Sequence, residues 1–341
     1  MLLFAGCQED TTVATKTVTQ IDGTQWTVPM EAQRIGAVYG PAYEAMVVLG
    51  AEDRVVVCSD VQFENFPWAV KIFKRISTLP YLKNVHSAVS VETLLSYSPD
   101  LVFTFPRPTE LRQLEAAGVA VIPGVTTEKL SDTKALLYVY AEALGGDALE
   151  RAEAYDAYFD ERVAYVQEKT AGLSEAEKPK VYYAGIDMLT TYGKYSDICD
   201  LISIAGGIPV AQDLEGGNRV QINFEQLAAW NPDYIFIDHG AMNDRETAEE
   251  ILAGAYDTEI YQAINAVKNQ QLYLSPSGVF YWDMGLQKIL LLQYVAKTIH
   301  PELFADLDMT VEIQRFYQQF FDYDLTLEEA QQILNRVDIS N

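Results

Sequence analysis

Polar and aromatic side chains follow most of the apolar segments that read as buried strands, where they could bind a ligand. Arg107 follows the segment 101–105, and its guanidinium could hold a ligand carboxylate through two parallel hydrogen bonds. An ordinary arginine at an exposed strand end is an equally good interpretation. Ligands of open parallel sheets bind beyond the carboxyl ends of the strands, and abundant aromatic residues favour a large organic ligand. The predicted ligand-binding residues are Tyr39, Trp68, Tyr81, Arg107, Met188, Tyr192, His239, Phe280, Tyr281 and Trp282. The Tyr-Trp pair at the end of this set could equally belong to the core.

The histidines are few and separated. His86 and His239 could ligate a metal or bind an anion, but a single histidine at a strand end is more often a hydrogen-bonded structural residue. His300 reads as the last residue of a helix. Asp187 and Asp238 could contact a cationic group of a ligand. We predict no resident metal site.

The chain carries no motif of a familiar enzyme class. It has no Gly-x-Ser-x-Gly elbow, no Walker A loop and no His-Glu-x-x-His, and Gly206-Gly207 do not begin a dinucleotide fingerprint. Two-lobed chelatase-like or nitrogenase-like enzymes need paired histidines or cluster-binding cysteines, and the three His and three Cys here are dispersed. We predict that the chain is not an enzyme and has no cofactor of its own, with a chelatase-like enzyme as a less favoured alternative.

One phrase occurs twice, at 90–103 and at 223–236, with Glu, Leu, Pro, Asp and Phe at matching places. Each copy predicts a short helix that opens at Glu92 or Glu225, a Pro-Asp turn, and a strand that is apolar on both faces. Two widely spaced copies are too few for a solenoid. They predict two related α/β lobes.

The remaining elements predict how these lobes are connected. Strands and helices alternate up to residue 122, which predicts an open, mainly parallel sheet flanked by helices. Helical patterns then run over 132–144 and 148–172, and the second, about 25 residues at about 1.5 Å each, spans about 37 Å. The predicted domains are a signal remnant and tether (1–20), an N-terminal lobe (21–145), an interdomain helix (146–173), a C-terminal lobe (174–301) and a helical extension (302–341).

Composition limits the partners. The chain has 341 residues, 49% of them apolar, and a net charge of −25. This charge argues against a nucleic-acid or anionic-membrane surface. No apolar run approaches the roughly 20 residues of a membrane-spanning helix. Cys58 and Cys199 lie in apolar surroundings and read as buried hydrophobic residues rather than as part of a disulfide or zinc pattern.

The first residues, Met1 to Cys7, resemble the end of a bacterial lipoprotein signal, in which small residues precede a cysteine that is lipidated. The polar, threonine-rich stretch 8–19 suits a flexible tether. Phe4 stands where such motifs usually carry Leu, and the basic and long apolar parts of a signal are missing. An ordinary cytosolic start with a chance cysteine is the alternative. We expect Cys7 to be lipidated and to anchor the protein outside the cytoplasmic membrane.

Many short motifs occur in the order found in one family of transport proteins. They are Asp22-Gly23, Arg34-Ile35, 44–50, 90–92, 99–102, 114–121, 205–207, 224–225, 232–233 and 300–304. With these motifs the chain resembles the solute-binding proteins of ABC importers for iron-siderophores, haem and cobalamin. The resemblance covers nearly everything from Asp22 to Pro301.

This resemblance implies a function. It implies two lobes joined by one rigid helix, which limits closure to a small hinge motion, and an iron chelate, siderophore or haem-like, bound between the lobes. Cobalamin, or an oxyanion such as molybdate or tungstate, is the alternative ligand. The implied partners are an ABC permease dimer with its cytoplasmic ATPase, and the implied state is a monomer that meets the membrane only through its lipid anchor. Glu92 and Glu225 match the glutamates that dock such proteins on the permease, whereas Glu44 is assigned to a helix surface.

Overall fold

The structure, a computed structural model, describes residues 14–60, 66–185, 187–238, 259–337 and 339. Its helices are α1 (Ala42–Val48), α2 (Pro67–Ile72), α3 (Val91–Ser96), α4 (Pro108–Ala116), α5 (Asp132–Leu144), α6 (Ala148–Thr170), α7 (Asp197–Ile204), α8 (Phe224–Trp230), α9 (Glu259–Gln262), α10 (Asn265–Lys268), α11 (Lys288–Ile299), α12 (Met309–Phe321) and α13 (Leu327–Leu334). Its strands are β1 (Thr15–Thr19), β2 (Gln25–Pro29), β3 (Ile35–Ala37), β4 (Val55–Ser59), β5 (Tyr81–Leu82), β6 (Leu101–Thr104), β7 (Ala120–Pro123), β8 (Lys180–Ala184), β9 (Thr190–Thr191), β10 (Ile208–Pro209), β11 (Val220–Gln221), β12 (Tyr234–Ile237) and β13 (Leu272–Leu274).

The N-terminal lobe is built on a parallel sheet. Its strands lie in the order β5-β4-β3-β6-β7, and every neighbouring pair is parallel. All four residues of β6 are buried, as a central strand covered by helices on both faces requires. The predicted parallel sheet is confirmed. The β1–β2 hairpin pairs antiparallel before this sheet and turns at Gly23, whose φ is +84°.

The C-terminal lobe has a mixed sheet. Its strands lie in the order β11-β9-β8-β12-β13, with β10 also paired to β8. The pairs of β8 with β12, β12 with β13 and β10 with β8 are parallel, whereas β9 and β11 pair antiparallel. The mainly parallel centre of the sheet agrees with the predicted fold class. The two antiparallel strands, β9 and β11, lie at the edge of the sheet next to β8.

The repeated phrase forms the same structure in both lobes. The side chain of Ser90 accepts a hydrogen bond from the backbone N–H of Thr93 at the start of α3, and Asn223 accepts one from Gln226 at the start of α8. A side-chain oxygen at this position satisfies a backbone donor that the first helical turn leaves unpaired. Both phrases therefore begin a helix for the same reason.

The aspartate of each Pro-Asp turn fixes the first strand of its lobe. Asp100 accepts hydrogen bonds at 2.8 and 3.0 Å from the backbone N–H groups of Gln33 and Arg34, just before β3. Asp233 accepts one at 2.9 Å from the N–H of Lys180, where β8 begins. The duplicated Asp thus ties the incoming chain to the strand that follows the turn. The Asp of each phrase therefore makes an equivalent contact in its own lobe.

Helix α6 connects the two lobes. It has 23 residues, so its length at about 1.5 Å per residue is about 34 Å. Lys134 of α5 forms ion pairs with Asp156 and Asp160 of α6. On the other side, the Tyr155 hydroxyl donates to the carbonyl oxygen of Leu286, ahead of α11. The helix is thus held by contacts from both lobes, as the pattern 148–172 predicts.

The last two helices pack onto both lobes. Tyr317 of α12 donates a hydrogen bond at 2.7 Å to Gln287 of the C-terminal lobe, and Phe321 packs edge-on against Phe73 of the N-terminal lobe. Thr326 and Glu329 form a capping box at the start of α13. Cys58 and Cys199 are buried and unlinked. In the part of the chain that the structure describes, no helix is both long and apolar enough to cross a membrane.

Candidate functional site

A cavity of about 210 Å³ lies between the lobes. It is bordered by the chain beyond the carboxyl ends of β3, β6, β7 and β8, where an open parallel sheet binds its ligands. The N-terminal lobe contributes Tyr39, Pro41, Ala45, Pro106, residues 124–127, Thr133, Leu136, Leu137 and Tyr140. The C-terminal lobe contributes Gly185, Thr190, Tyr192, Asp197, Asn218, Arg219, residues 283–286 and Lys288.

Tyr39, one of the predicted ligand-binding residues, lines the cavity. Its ring packs edge-on against Phe105, with ring centroids 5.2 Å apart. It also lies so close to Gly124 that a Cβ at that position would approach the phenol carbon Cζ to 2.5 Å. Burial raises the pKa of Tyr39, and nearby Asp197 adds to the rise. Glycine at 124 therefore makes room for a neutral phenol at the cavity surface.

Tyr192, a second predicted residue, also lines the cavity. Its hydroxyl lies 2.9 Å from Oδ2 of Asp238 and 2.9 Å from Oδ2 of Asp283, so its single proton can be donated to only one carboxylate at a time. Burial raises the pKa of Tyr192 well above its usual value, and Asp283 raises it further. Asp238, which the sequence assigns to a cationic ligand group, contacts this tyrosine.

Arg107 is tied to its own lobe. Its guanidinium donates to Glu110 at 3.1 Å and to the carbonyl oxygens of Val85 and His86 at 2.7 and 2.6 Å. It also lies over the ring of Phe105, 4.4 Å from the centroid. Arg107 is not among the residues that line the cavity. These contacts fit the alternative of a strand-end arginine that holds the loop 85–86.

Five other predicted residues pack in the hydrophobic cores instead of lining the cavity. They are at most 6% exposed: Trp68, Met188, Phe280, Tyr281 and Trp282. A large apolar side chain buries more of its area in a core than in an open cleft, which favours the core position. The sequence cannot distinguish a residue of the core from a residue of the cavity lining, because both environments favour the same residue types.

The remaining predicted residues lie apart from the cavity or outside the described residues. Tyr81 lies on the edge strand β5 and is 36% exposed. Asp187 accepts hydrogen bonds from Thr190 and from the Leu189 N–H in its own turn, and His300 contacts the carbonyl oxygen of Gly206 at 3.0 Å. His86 is exposed and packs edge-on against Phe105. His239 and Cys7 lie outside the described residues.

Arg219 is a cavity residue that the sequence analysis did not identify. It precedes β11, its side chain is exposed, and its φ of +63° lies in the left-handed region. A residue other than Gly in this region is uncommon and often accompanies function. The run Gly216-Gly217-Asn218-Arg219 was the available signal, because a glycine-rich turn that ends in an arginine can present a cation to a ligand.

A buried ion pair at the cavity was also missed. Lys288, at the start of α11, pairs with Asp197, at the start of α7, and each side chain is only 5% exposed. Thr127 of the N-terminal lobe donates a hydrogen bond at 2.5 Å to the same carboxylate oxygen. Burial raises the pKa of Asp197, whereas Lys288 and Thr127 oppose the rise. The pair adds no net charge to the C-terminal lobe, and the hydrogen bond from Thr127 connects it to the N-terminal lobe.

Glu44 lies in the interior, so its assignment to a helix surface is wrong. Its two carboxylate oxygens accept hydrogen bonds at 3.0 Å from the N–H of Leu286 and from the side-chain amide of Gln287. Gln287 in turn accepts from the Trp282 indole at 3.0 Å. The short α1 packs both of its faces, so the helical period alone could not reveal an exposed side. Burial raises the pKa of Glu44 to about 7, although both hydrogen bonds oppose the rise.

The free energy of unfolding should fall between pH 4.5 and 7 because of Glu44. In this window the folded protein keeps a proton on Glu44 that the unfolded chain, with its ordinary pKa of 4.5, has released. The contribution is complete below pH 4.5, is lost as the pH rises through about 7, and is on the order of 3 kcal/mol. Urea unfolding of the wild type and Glu44→Gln at pH 5 and pH 8 measures it.

The wild type and Glu44→Gln share all other carboxylates. A difference between them in how the free energy of unfolding changes with pH therefore reports Glu44. Relative to the wild type, Glu44→Gln should lose more stability at pH 5 than at pH 8, because only the wild type gains stability by keeping a proton on residue 44 at pH 5, and the stability of the variant should depend less on pH. Equal pH dependence in the two proteins would contradict the raised pKa.

Glu92 and Glu225 are both exposed in the first turns of α3 and α8. Their positions are equivalent in the two repeated phrases, as predicted. Carboxylates here are favourable for the helix itself, since a helix N-terminus carries partial positive charge. Within the described part of the chain, no group of three or more His, Cys, Asp or Glu side chains is arranged to hold a metal ion.

Three curated proteins are similar to the chain over most of its length. The molybdate-binding protein MolA of Haemophilus influenzae is 23% identical over 264 residues, covering 69% of this chain and 70% of its own. The iron(3+)-hydroxamate-binding protein FhuD of Bacillus subtilis is 24% identical over 254 residues, covering 67% and 76%. The vitamin B12-binding protein of Vibrio cholerae is 22% identical over 251 residues, covering 72% and 81%. All three are named as binding proteins, in agreement with the absence of enzyme motifs in the sequence.

Solved structures share the fold. A periplasmic solute-binding protein from Veillonella parvula superposes with a TM-score of 0.75 at 25% identity, over 95% of this chain and 98% of its own. CeuE of Helicobacter pylori superposes with a TM-score of 0.76 at 22% identity, over 94% and 99%. The two-lobed α/β fold predicted from the repeated phrase is confirmed.

A family profile matches a contiguous part of the chain that contains most of the cavity. It extends over residues 37–278, from the last residue of β3 to the turn after β13, and so includes the long helix α6 and the sheets of both lobes except the first two residues of β3. The chain belongs to the periplasmic binding protein family.

Proposed function

We propose that this protein is the extracytoplasmic solute-binding component of an ABC importer and captures an organic metal chelate, a ferric siderophore or a haem-like compound, between its lobes. The single observation that carries the proposal is the cavity to which both lobes contribute, because most of the residues that line it are uncharged and three of them are tyrosines. Such a lining suits an organic ligand better than a bare ion, because apolar walls cannot replace the hydration of a charge. The relatives named for iron(3+)-hydroxamate and vitamin B12 support the same class.

We also propose how the protein delivers its ligand and how it is held at the membrane. The exposed glutamates Glu92 and Glu225 would seat the loaded protein on a permease dimer, and a cytoplasmic ATPase would drive uptake. A lipid on Cys7 would hold the protein at the outer face of the membrane. The protein would act as a monomer, since its two lobes already present two equivalent anchors to a two-fold partner.

Titration of the purified protein with four compounds tests the ligand class. The compounds are a ferric trishydroxamate chelate, haemin, cyanocobalamin and sodium molybdate, and binding is followed by tryptophan fluorescence and by calorimetry. We expect saturable binding near 1:1 for one organic chelate. Binding of none of the three organic compounds would contradict the proposal, and turnover of one of them would favour an enzyme.

Arg219 should strengthen the binding of a negatively charged ligand. Arg219→Asn removes the cation, and asparagine tolerates the left-handed backbone of this position. A charge-assisted hydrogen bond contributes about 1.5–3 kcal/mol, and the exposure of Arg219 favours the lower end of this range. We therefore expect the dissociation constant of an anionic chelate to rise about tenfold, and less at high salt. The matched control is Lys268→Asn, which removes an exposed cation of the same lobe away from the cavity. Equal affinities of the two variants would exclude Arg219 from the site.

One observation favours a second candidate, an oxyanion such as molybdate. A relative of similar identity is named as a molybdate-binding protein, and Arg219 supplies a cation to the cavity. Tight binding of molybdate, together with no binding of the three organic compounds, would make this candidate the function. The same titration therefore distinguishes the two.

A further inference from the structure

The end of helix α13 has an arginine where a glycine is usual. The N–H of Val337 donates to the carbonyl oxygen of Gln332 at 2.8 Å, and the N–H of Arg336 donates to that of Ile333 at 3.1 Å. Together with the φ of +56° at Arg336, these bonds form a Schellman motif, whose left-handed residue is usually Gly. An arginine adopts this backbone at a cost in energy that contacts of its side chain can offset.

The guanidinium of Arg336 lies at the end of strand β12. It donates a hydrogen bond at 3.0 Å to the main-chain carbonyl oxygen of Asp238. Burial raises the pKa of Tyr183 and of Tyr281. The negative charge of Asp283 adds to both of these rises in pKa, whereas the positive charge of Arg336 opposes both. Arg336 and Asp283 therefore lie in one region of the C-terminal lobe.

This region supports one wall of the cavity. Asp238 and Asp283 are only 2% and 3% exposed, and each has a carboxylate oxygen 2.9 Å from the hydroxyl of Tyr192. Two buried carboxylates at one hydroxyl repel each other, and a cation near them reduces this repulsion. Tyr192 lines the cavity, whereas Arg336 is not among the lining residues. Arg336 therefore acts on a ligand through these carboxylates and the phenol that they hold.

The same end of the chain also contacts the N-terminal lobe. The indole N–H of Trp68 donates at 3.3 Å to the carbonyl oxygen of Val337, and Lys71 pairs with Glu329 of α13 at 2.6 Å. Both contacts come from helix α2 of the N-terminal lobe. The adjacent residues Arg336 and Val337 thus bind opposite lobes. We call residues 335–337 the strap.

We propose that Arg336 is a positioning residue of the ligand site and that the strap fixes the Tyr192 side of the cavity relative to the N-terminal lobe. Arg336 holds the end of β12 and offsets the charge of the carboxylates that hold the Tyr192 phenol. Val337 connects this unit to α2. This inference rests on the proposed ligand-binding function and adds a determinant of affinity that lies outside the cavity lining.

Two substitutions of Arg336 test the positioning role. Arg336→Gly removes the guanidinium and suits the left-handed backbone, so the end of α13 is retained. We expect the dissociation constant of a ferric trishydroxamate chelate, measured by calorimetry, to rise about fivefold to tenfold. Arg336→Lys keeps a positive charge near the carboxylates, and its dissociation constant should stay within about twofold of the wild type.

A measurement without ligand gives a second readout. The N–H of Asp238 donates to the carbonyl oxygen of Ala184 at 3.0 Å, so amide hydrogen exchange at the end of β12 reports how firmly this position is held. Arg336→Gly should increase the exchange rate about threefold, and Arg336→Lys should not. The matched control is Arg315→Gln, because Arg315 belongs to the same C-terminal extension but donates to Glu161 on α6. The control should change neither the exchange rate nor the affinity.

Trp68→Phe tests the connection to the N-terminal lobe. It removes the indole N–H and keeps an aromatic ring at this buried position, and it should raise the dissociation constant about threefold. Combined with Arg336→Gly it should weaken binding no further than Arg336→Gly alone, because the strap is then already released from the C-terminal lobe. Additive losses, or no effect of Trp68→Phe, would overturn the connection between the lobes.

The outcomes separate this inference from the proposed function. If the wild type binds the chelate and Arg336→Gly binds it equally tightly, Arg336 is not a positioning residue and the proposed function stands. Equal weakening by Arg336→Gly and Arg315→Gln would also overturn the positioning role, because any loosening of the extension would then be sufficient. If the wild type does not bind the chelate, the proposed function fails in its hydroxamate form. The exchange rate at Asp238 then still decides whether Arg336 holds the end of β12.

Discussion

Replacing Asp197 by alanine is expected to lower the free energy of unfolding by about 3–5 kcal/mol, because the change leaves the ammonium group of Lys288 buried without its partner. The same substitution removes the acceptor of the Thr127 hydroxyl and so loosens a contact between the lobes. Urea unfolding at pH 7, followed by circular dichroism and by tryptophan fluorescence, measures the change. Both signals should report the loss.

The double variant Asp197→Leu/Lys288→Met is the control. It removes both charges and keeps apolar volume, and replacement of a buried ion pair in this way is often close to neutral. We therefore expect it to be more stable than either single variant. A double variant as unstable as Asp197→Ala would show that shape at this position, and not the unpaired charge, causes the loss.

Reversal of both Glu92 and Glu225 to lysine is expected to abolish transport in cells while the affinity of the purified protein for its ligand changes by less than about twofold. Both side chains are exposed in the first turns of α3 and α8, and neither lines the cavity. Basic residues of a permease would then face lysines at both anchors, and like charges brought together at an interface cost several kcal/mol. Uptake of radiolabelled iron chelate and calorimetric titration give the two measurements.

A matched pair controls for the helix ends. Glu150 and Glu328 are also exposed carboxylates in first helical turns, at α6 and α13. Replacing both of them by lysine removes the same favourable interaction with a helix N-terminus as in the Glu92/Glu225 variant, about 0.3–1 kcal/mol for each residue. This control variant should leave transport intact. Loss of ligand binding in the Glu92/Glu225 variant, or equal loss of transport in the control, would contradict the docking assignment.

Local signals in the sequence were sufficient for the architecture. The repeated phrase predicted two equivalent helix-turn-strand units, and the structure shows both with the same caps, since each cap joins residues three positions apart. The two units also share the Asp contact, which joins residues 66 positions apart in the first lobe and 53 in the second. The helical pattern 148–172 predicted the long helix, observed as Ala148–Thr170. Ligands of an open parallel sheet bind beyond the carboxyl ends of its strands, and this rule correctly predicted that Tyr39 and Tyr192 line the cavity.

The sequence by itself determined the fold, the two lobes and the position of the cleft, because hydrophobic period, caps and turns act locally. Only the tertiary structure decided which side chains meet there. It moved Trp282 into the core and Glu44 into the interior, and it brought Asp197 and Lys288 together. The same residue types suit a core and a cleft, and a pair from distant segments, such as Asp197 and Lys288, meets only when the C-terminal lobe has folded.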